Sequence, residues 1–383
     1  MSIAAAAPAP APVSRALSVS SVGLLSLYLV MPALLQLVGM DALFWHHQWR
    51  DQWLPQYPAE LLIWAIVFNF PHIVSSLVTL ADQEYWQFYR RKLVLGLAVI
   101  VPLVLAVNIL VPLVASRHVA DQVYLAFFLF YSTYTVWHVL SQQFGIGLML
   151  MRVTPRALAF YRWRGLSTLA GALMYVKVFG GIYLQGEYLF GMELERLVLD
   201  AALISVVLAT LAGIPLWRQS RRALGTWYGL GNLAILPVSY AMLVLDYNVF
   251  VVMIPRFIHD LTAFQVYAVH DHNRNRERHR NLVYRWLRFI PLTPLLLCPL
   301  LAILLANSIE CGSMLVDTLL GTSNHLPQKC FMDPAAPLSF SRDLPGTLSL
   351  WLQVLFICGF FHYFIEGFVW KRESIHRHSV GFS

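Results

Sequence analysis

The sequence predicts an all-α integral membrane bundle of about ten transmembrane helices with both termini cytoplasmic, and three observations predict it. Of 383 residues, 58% are hydrophobic and only 12% are charged, and the mean hydropathy of +0.62 exceeds what a soluble fold carries. Apolar stretches of about 20 residues, the length that crosses the hydrocarbon core, recur along the chain. Basic residues alternate from one side of these stretches to the other, as the positive-inside rule requires. A soluble enzyme is thereby excluded. The net charge of +7 reads as loop orientation rather than as a nucleic-acid surface.

The elements follow in order. Residues 1–18 form an Ala/Pro-rich tail with too little apolar content to order itself, residues 19–371 one transmembrane domain, and residues 372–383 a cytoplasmic tail. After Arg15 the apolar run Ser20–Val38 has no small-residue cleavage site and reads as a retained helix rather than a signal peptide. The spans that follow are Pro58–Ala81, Leu93–Ala115, Val123–Met149, Leu166–Leu184, Leu197–Leu216, Trp227–Leu245, Val249–Val269, Phe289–Ala306 and Leu348–Trp370. With the N-terminus inside, 20 of the 27 Lys and Arg residues fall in inside segments and 5 in outside ones, while Lys177 and Arg256 lie within spans. The expected location is a bacterial inner membrane. Cys298 and Cys358 lie in spans as small apolar residues, whereas Cys311 and Cys330 share the long outer loop and would pair in an oxidising compartment.

An ionisable side chain in hydrocarbon is costly and marks a candidate site. His72, His138, His259 and His362 fall in spans two, four, eight and ten, all running outside to inside, at depths that agree within roughly 9 Å. Asn69, Gln142, Arg256 and Glu366 stand three or four residues from them, on the same helix faces. A single intramembrane histidine is often only an interhelical hydrogen-bond partner. Four at one depth on parallel helices point to a shared metal centre, with Glu366, Asp260 and Gln142 as candidate catalytic or supporting groups. His270 and His272 lie eleven and thirteen residues beyond His259, about 16 Å or more along a straight helix. They are candidate ligands of a second centre, or reach the first through a break in the helix near Pro255. His46, His47, His118, His325, His279, His376 and His378 lie in loops and tails and are not expected to be ligands.

The arrangement of His72, His138, His259 and His362 resembles that of the bacterial carotene dioxygenases that make retinal, many-helix proteins thought to hold one non-haem iron through single histidines from separate spans. The likeness is one of arrangement, without a shared motif. It is less similar to the membrane fatty-acid desaturases and hydroxylases, whose boxes take the forms H-x(3,4)-H and H-x(2,3)-H-H. The one adjacent pair here, His46 and His47, lies on the outer side.

Imidazole and carboxylate without thiolate suit iron, copper or zinc, and chemistry on an unactivated hydrocarbon favours iron. The expectation is a non-haem iron oxidoreductase acting on a lipid or isoprenoid, with the bilayer, a lipophilic substrate and an electron donor protein as partners. Two alternatives use the same residues: a bis-histidine haem protein, and a proton-coupled transporter relaying through His259, Asp260, Arg256 and Glu366.

Overall fold

The computed structural model describes residues 16–55, 61–319, 349–371 and 374–383, and among them the fold is all-α apart from two-residue strands. The helices are α1 (Ser21–Phe44), α2 (Gln48–Trp53), α3 (Leu62–Val67), α4 (Phe70–Thr79), α5 (Gln83–Val114), α6 (Arg117–Met151), α7 (Ala157–Leu184), α8 (Leu194–Trp217), α9 (Ala223–Val244), α10 (Asn248–Asn275), α11 (Leu282–Trp286), α12 (Pro294–Leu319), α13 (Leu350–Val369) and α14 (Ile375–His378). Eight helices, α1, α5, α6, α8, α9, α10, α12 and α13, are long and apolar enough to cross a membrane. The sequence-derived spans differ from these in three places. The span expected over Phe289–Ala306 is α12, which starts at Pro294 and continues to Leu319, so that Cys311, expected in the outer loop, lies in the helix. Leu166–Leu184 lies in α7, a 28-residue helix that also carries Arg162, Arg164 and Lys177. Pro58–Ala81 is divided into α3 and α4.

The division follows from Pro71. In a continuous helix its ring would press on the carbonyl four residues back, that of Val67, where α3 ends. Phe68 is extended, Asn69 takes φ 61° and ψ −99°, and α4 restarts with Pro71 in its first turn, where no N–H is needed. The backbone N–H of Asn69, freed by the break, donates to Asp260 Oδ2 on α10 at 2.9 Å. Asn69 is therefore a hinge residue ahead of α4 rather than part of the helix face that carries His72.

α10 is the central helix. Buried residues make up 78% of its apolar stretch, against 17% in α5, whose flanks carry exposed Val94, Leu95 and Val99. α10 and α13 each pack against both α4 and α6, so these four helices close a ring. Pro255 lies inside α10 without interrupting it. The expected break near Pro255 occurs instead at Pro71, because Asp260 accepts the liberated N–H there.

The two described chain ends meet. Strand β1 (Ser18–Val19) pairs in parallel with β4 (Gly381–Phe382), and a hairpin of β2 (Tyr188–Leu189) and β3 (Met192–Glu193) joins α7 to α8. Asn273, near the end of α10, fastens this junction through Leu17 N–H at 2.8 Å and Ser379 O at 3.0 Å. The segment read as a free tail thus packs on the bundle over residues 374–383, with His376 and Val380 buried. Cys311 is disulfide-bonded, and Cys298 and Cys358 are free. Cys330 and His325 lie outside the described residues, as does the tail over 1–15.

Candidate metal centre

α4, α6, α10 and α13 each contribute one imidazole to the middle of their ring. His72, His259, His138 and His362 follow one another in a closed circuit: centroids are 5.2 Å apart for His72 and His259, 5.0 Å for His259 and His138, 4.9 Å for His138 and His362, and 5.0 Å for His362 and His72. Neighbours meet edge to face, and all four side chains are at most 4% exposed. A metal–nitrogen bond of about 2.1 Å puts a ring centroid about 3.2 Å from the ion, so rings at roughly 90° to 109° to one another lie about 4.6 to 5.2 Å apart. The observed spacings fall in that interval. Donor atoms of His72, His259 and His362 lie within 4.8 Å of one another, as do those of His138, His362 and Glu366.

Both ring nitrogens of His72 and His259, Nε2 of His138 and Nε2 of His362 are buried without a hydrogen-bond partner. Buried polar atoms are nearly always satisfied, so unpartnered nitrogens on all four rings, one donor atom from each of three rings lying within 4.8 Å of the others, mark a place for a ligand. Nδ1 of His362 is hydrogen-bonded to the Ser76 hydroxyl at 2.7 Å, and that hydroxyl also lies 2.7 Å from Ile73 O. In the tautomer in which Nδ1 donates to Ser76 and Ser76 to Ile73 O, Nε2 bears the lone pair that a metal needs.

Two carboxylates flank the imidazoles. Asp260 Oδ1 lies 3.2 Å from His72 Nδ1 and 4.0 Å from His259 Nε2, and Glu366 Oε2 lies 3.4 Å from His138 Nε2. Glu366 is held by the Gln142 amide, which donates to Oε2 at 3.2 Å, and by the Tyr267 hydroxyl, which donates to Oε1. Asp260, Glu366 and Gln142 are thus all brought to the centre. Ser76 and Tyr267 escape a search restricted to histidines and charged residues. Helical spacing offers a signal for both: Ser76 follows His72 by four residues, and Tyr267 follows His259 by eight.

His270 and His272 are not brought there. His270 donates from Nδ1 to Asp271 at 2.8 Å and accepts the Tyr85 hydroxyl at Nε2, 2.7 Å away, so both its nitrogens are in use. Asp271 also receives Thr79 at 3.0 Å and Tyr284 at 2.5 Å. His376 joins this second cluster, its ring stacked 3.7 Å from that of Tyr85. α10 keeps its helical rise between His259 and His270, which holds the two clusters about 16 Å apart along its axis. His272 is part-exposed at the end of α10. His46 and His47 sit in the turn between α1 and α2, where His47 Nδ1 meets Tyr247 OH at 3.2 Å.

A narrow apolar crevice of about 10 Å³, room for about one water molecule, is lined by Val139, Leu140, Met174, Tyr175, Val251 and Pro255 among others. Compared with known protein families, curated proteins and solved structures, the chain matches no family, no curated sequence and no structure.

Proposed function

We propose that the protein is an integral membrane metalloprotein with one metal ion held by His72, His138, His259 and His362, and that it is a non-haem iron oxidoreductase acting on a lipid or isoprenoid. The observation that carries the metal is the set of six unpartnered nitrogens on four mutually adjacent imidazoles. Iron is favoured because the donors are imidazole and carboxylate, and a hydrocarbon substrate calls for a redox metal. An electron donor protein remains the proposed partner.

The same reading keeps ten spans, counting α3 with α4 as one and α7 as another, with both termini cytoplasmic in an inner membrane. The pairing of β1 with β4 supports the two ends sharing a side. The packed circuit of imidazoles leaves no slot for a porphyrin between opposite rings, which disfavours a haem site.

The break at Asn69 favours one second reading, a proton-coupled transporter, because discontinuous helices commonly form transporter sites. Metal analysis of detergent-purified protein, together with its absorption spectrum, separates the two. The expected result is about one iron per chain and no Soret band, with metal lost in His138→Ala combined with His259→Ala while the helices stay inserted. Full metal retention in that double variant, or a metal-free parent, would overturn the proposal.

A further inference from the structure

Arg256 is not explained by four neutral ligands. It lies on α10 one turn before Asp260 and is 8% exposed. One of its five donors is engaged at short range: Nη2 gives a hydrogen bond to Asn69 Oδ1 at 2.5 Å. Nε is buried without a partner and lies 3.9 Å from Asp260 Oδ1, too far for a hydrogen bond. The same Asp260 oxygen lies 3.2 Å from His72 Nδ1 and 4.0 Å from His259 Nε2, so one carboxylate separates the guanidinium from the imidazoles.

A cation set among neutral imidazoles repels a second cation, and an uncompensated charge in a low-dielectric interior is strongly unfavourable. Asp260 and Glu366 together carry two negative charges when ionised, and Arg256 cancels one. A divalent ion then leaves the assembly with one positive charge. If Glu366 is protonated the excess is larger. In the first case a small monoanion completes neutrality and in the second it halves the excess, and the buried, unpartnered Nε of Arg256 lies 3.9 Å from Asp260 Oδ1, which stands 3.2 Å from His72 Nδ1.

Resting on the metal reading above, we propose that the centre also takes a monoanionic oxygen donor, a carboxylate or hydroxide, and that Arg256 is the residue that holds it. The guanidinium supplies both charge and a directed donor, the combination that makes arginine the usual carboxylate binder. The chemistry has two sources: the head of a lipophilic acid, or hydroxide formed from water on the ion.

The test uses full-length protein loaded with Co(II), whose visible spectrum reports its ligands, titrated with formate and with formamide, which are alike in size and differ in charge. Formate is expected to perturb the bands saturably and to bind at least about tenfold more tightly than formamide. Arg256→Gln should bring the two to parity at unchanged Co(II) content, and Arg256→Lys should restore much of the preference. Equal binding of the two in the parent, or undiminished formate affinity in Arg256→Gln, would overturn the inference. A purely structural Arg256 would leave the formate preference intact. Should Arg256→Gln lose Co(II), Arg256→Met takes its place with the same two outcomes. Bound Co(II) with no formate response defeats this inference only, whereas no bound Co(II) defeats the metal reading and this inference with it. Myristate binding more tightly than formate would identify the lipophilic acid. Competition between formate and rising pH would identify hydroxide.

Discussion

Ser76 stands behind His362, its hydroxyl 2.7 Å from both Ile73 O and Nδ1 of the ring, which leaves Nε2 as the nitrogen without a partner. Hydrogen bonds behind a metal ligand commonly change metal affinity by about 10- to 100-fold when removed. Ser76→Ala is therefore expected to weaken metal binding by about that factor in a chelator competition, while Ser76→Thr, which keeps the hydroxyl, stays near the parent. Unchanged affinity in Ser76→Ala would show that the ligand ring is oriented by packing alone. The residue scale also separates histidines that look alike in the sequence. His259 has two unpartnered nitrogens, whereas His270, eleven residues later on nearly the same face, has none.

At the scale of elements, the centre depends on the break between α3 and α4. Asn69 holds a positive φ that ordinary side chains rarely adopt, and such positions store about 1 to 3 kcal/mol. Asn69→Gly and Asn69→Ala both remove the bond to Arg256, but only alanine is strained there. Thermal inactivation in detergent should find Asn69→Ala less stable than Asn69→Gly by about 1 kcal/mol. Equal stability would mean that the hinge relaxes without strain. Close helix approach is as specific. A Cβ on Gly225 of α9 would lie 2.4 Å from Leu150 O at the end of α6, and backbone cannot swing aside. Gly225→Ala should cost about 1 to 3 kcal/mol in the same measurement. Gly39→Ala, whose Cβ meets nothing within 4 Å, is the control.

At the scale of the whole molecule, the chain ends are clasped over the end of α10, and His376 is a buried ionisable residue in that clasp. Burial, with smaller contributions from His270 and Arg274, pushes its pKa down to about 2. An unfolded histidine titrates near about 6.5. The native clasp thus refuses a proton that the released segment accepts below that pH. Its contribution to stability is complete above about 6.5 and is lost progressively as pH falls towards about 2. The groups facing His376 are Tyr85, Tyr89, His270 and Trp370. The protection of amides over 374–383, taken relative to the intrinsic exchange rate at each pH, should therefore fall between pH 7 and pH 5, and His376→Phe should flatten that dependence. A parent segment indifferent to pH would refute the linkage. The charge pattern makes a separate claim. Reporters placed between Arg152 and Arg164 and between Arg274 and Arg288 should read cytoplasmic, and one near His325 outside. Either basic segment reading outside would remove the ten-span arrangement.

The sequence by itself determined that the chain is helical and apolar enough for a membrane, and it singled out His72, His138, His259 and His362. Apolar length and an isolated ionisable residue are signals that need no partner to be read. Only the tertiary structure decided the rest. Pro71 breaks a helix while Pro102, Pro215, Pro237, Pro255 and Pro299 lie inside theirs, because Asp260 on another helix receives the N–H that the break sets free. His270 is kept from the centre because Tyr85 and Asp271 satisfy it first. His376, placed by the sequence in a solvated tail, is buried because the chain ends pair and draw it against Tyr85. Each outcome depends on which polar atom meets which across an interface, and that is fixed by packing between segments distant along the chain.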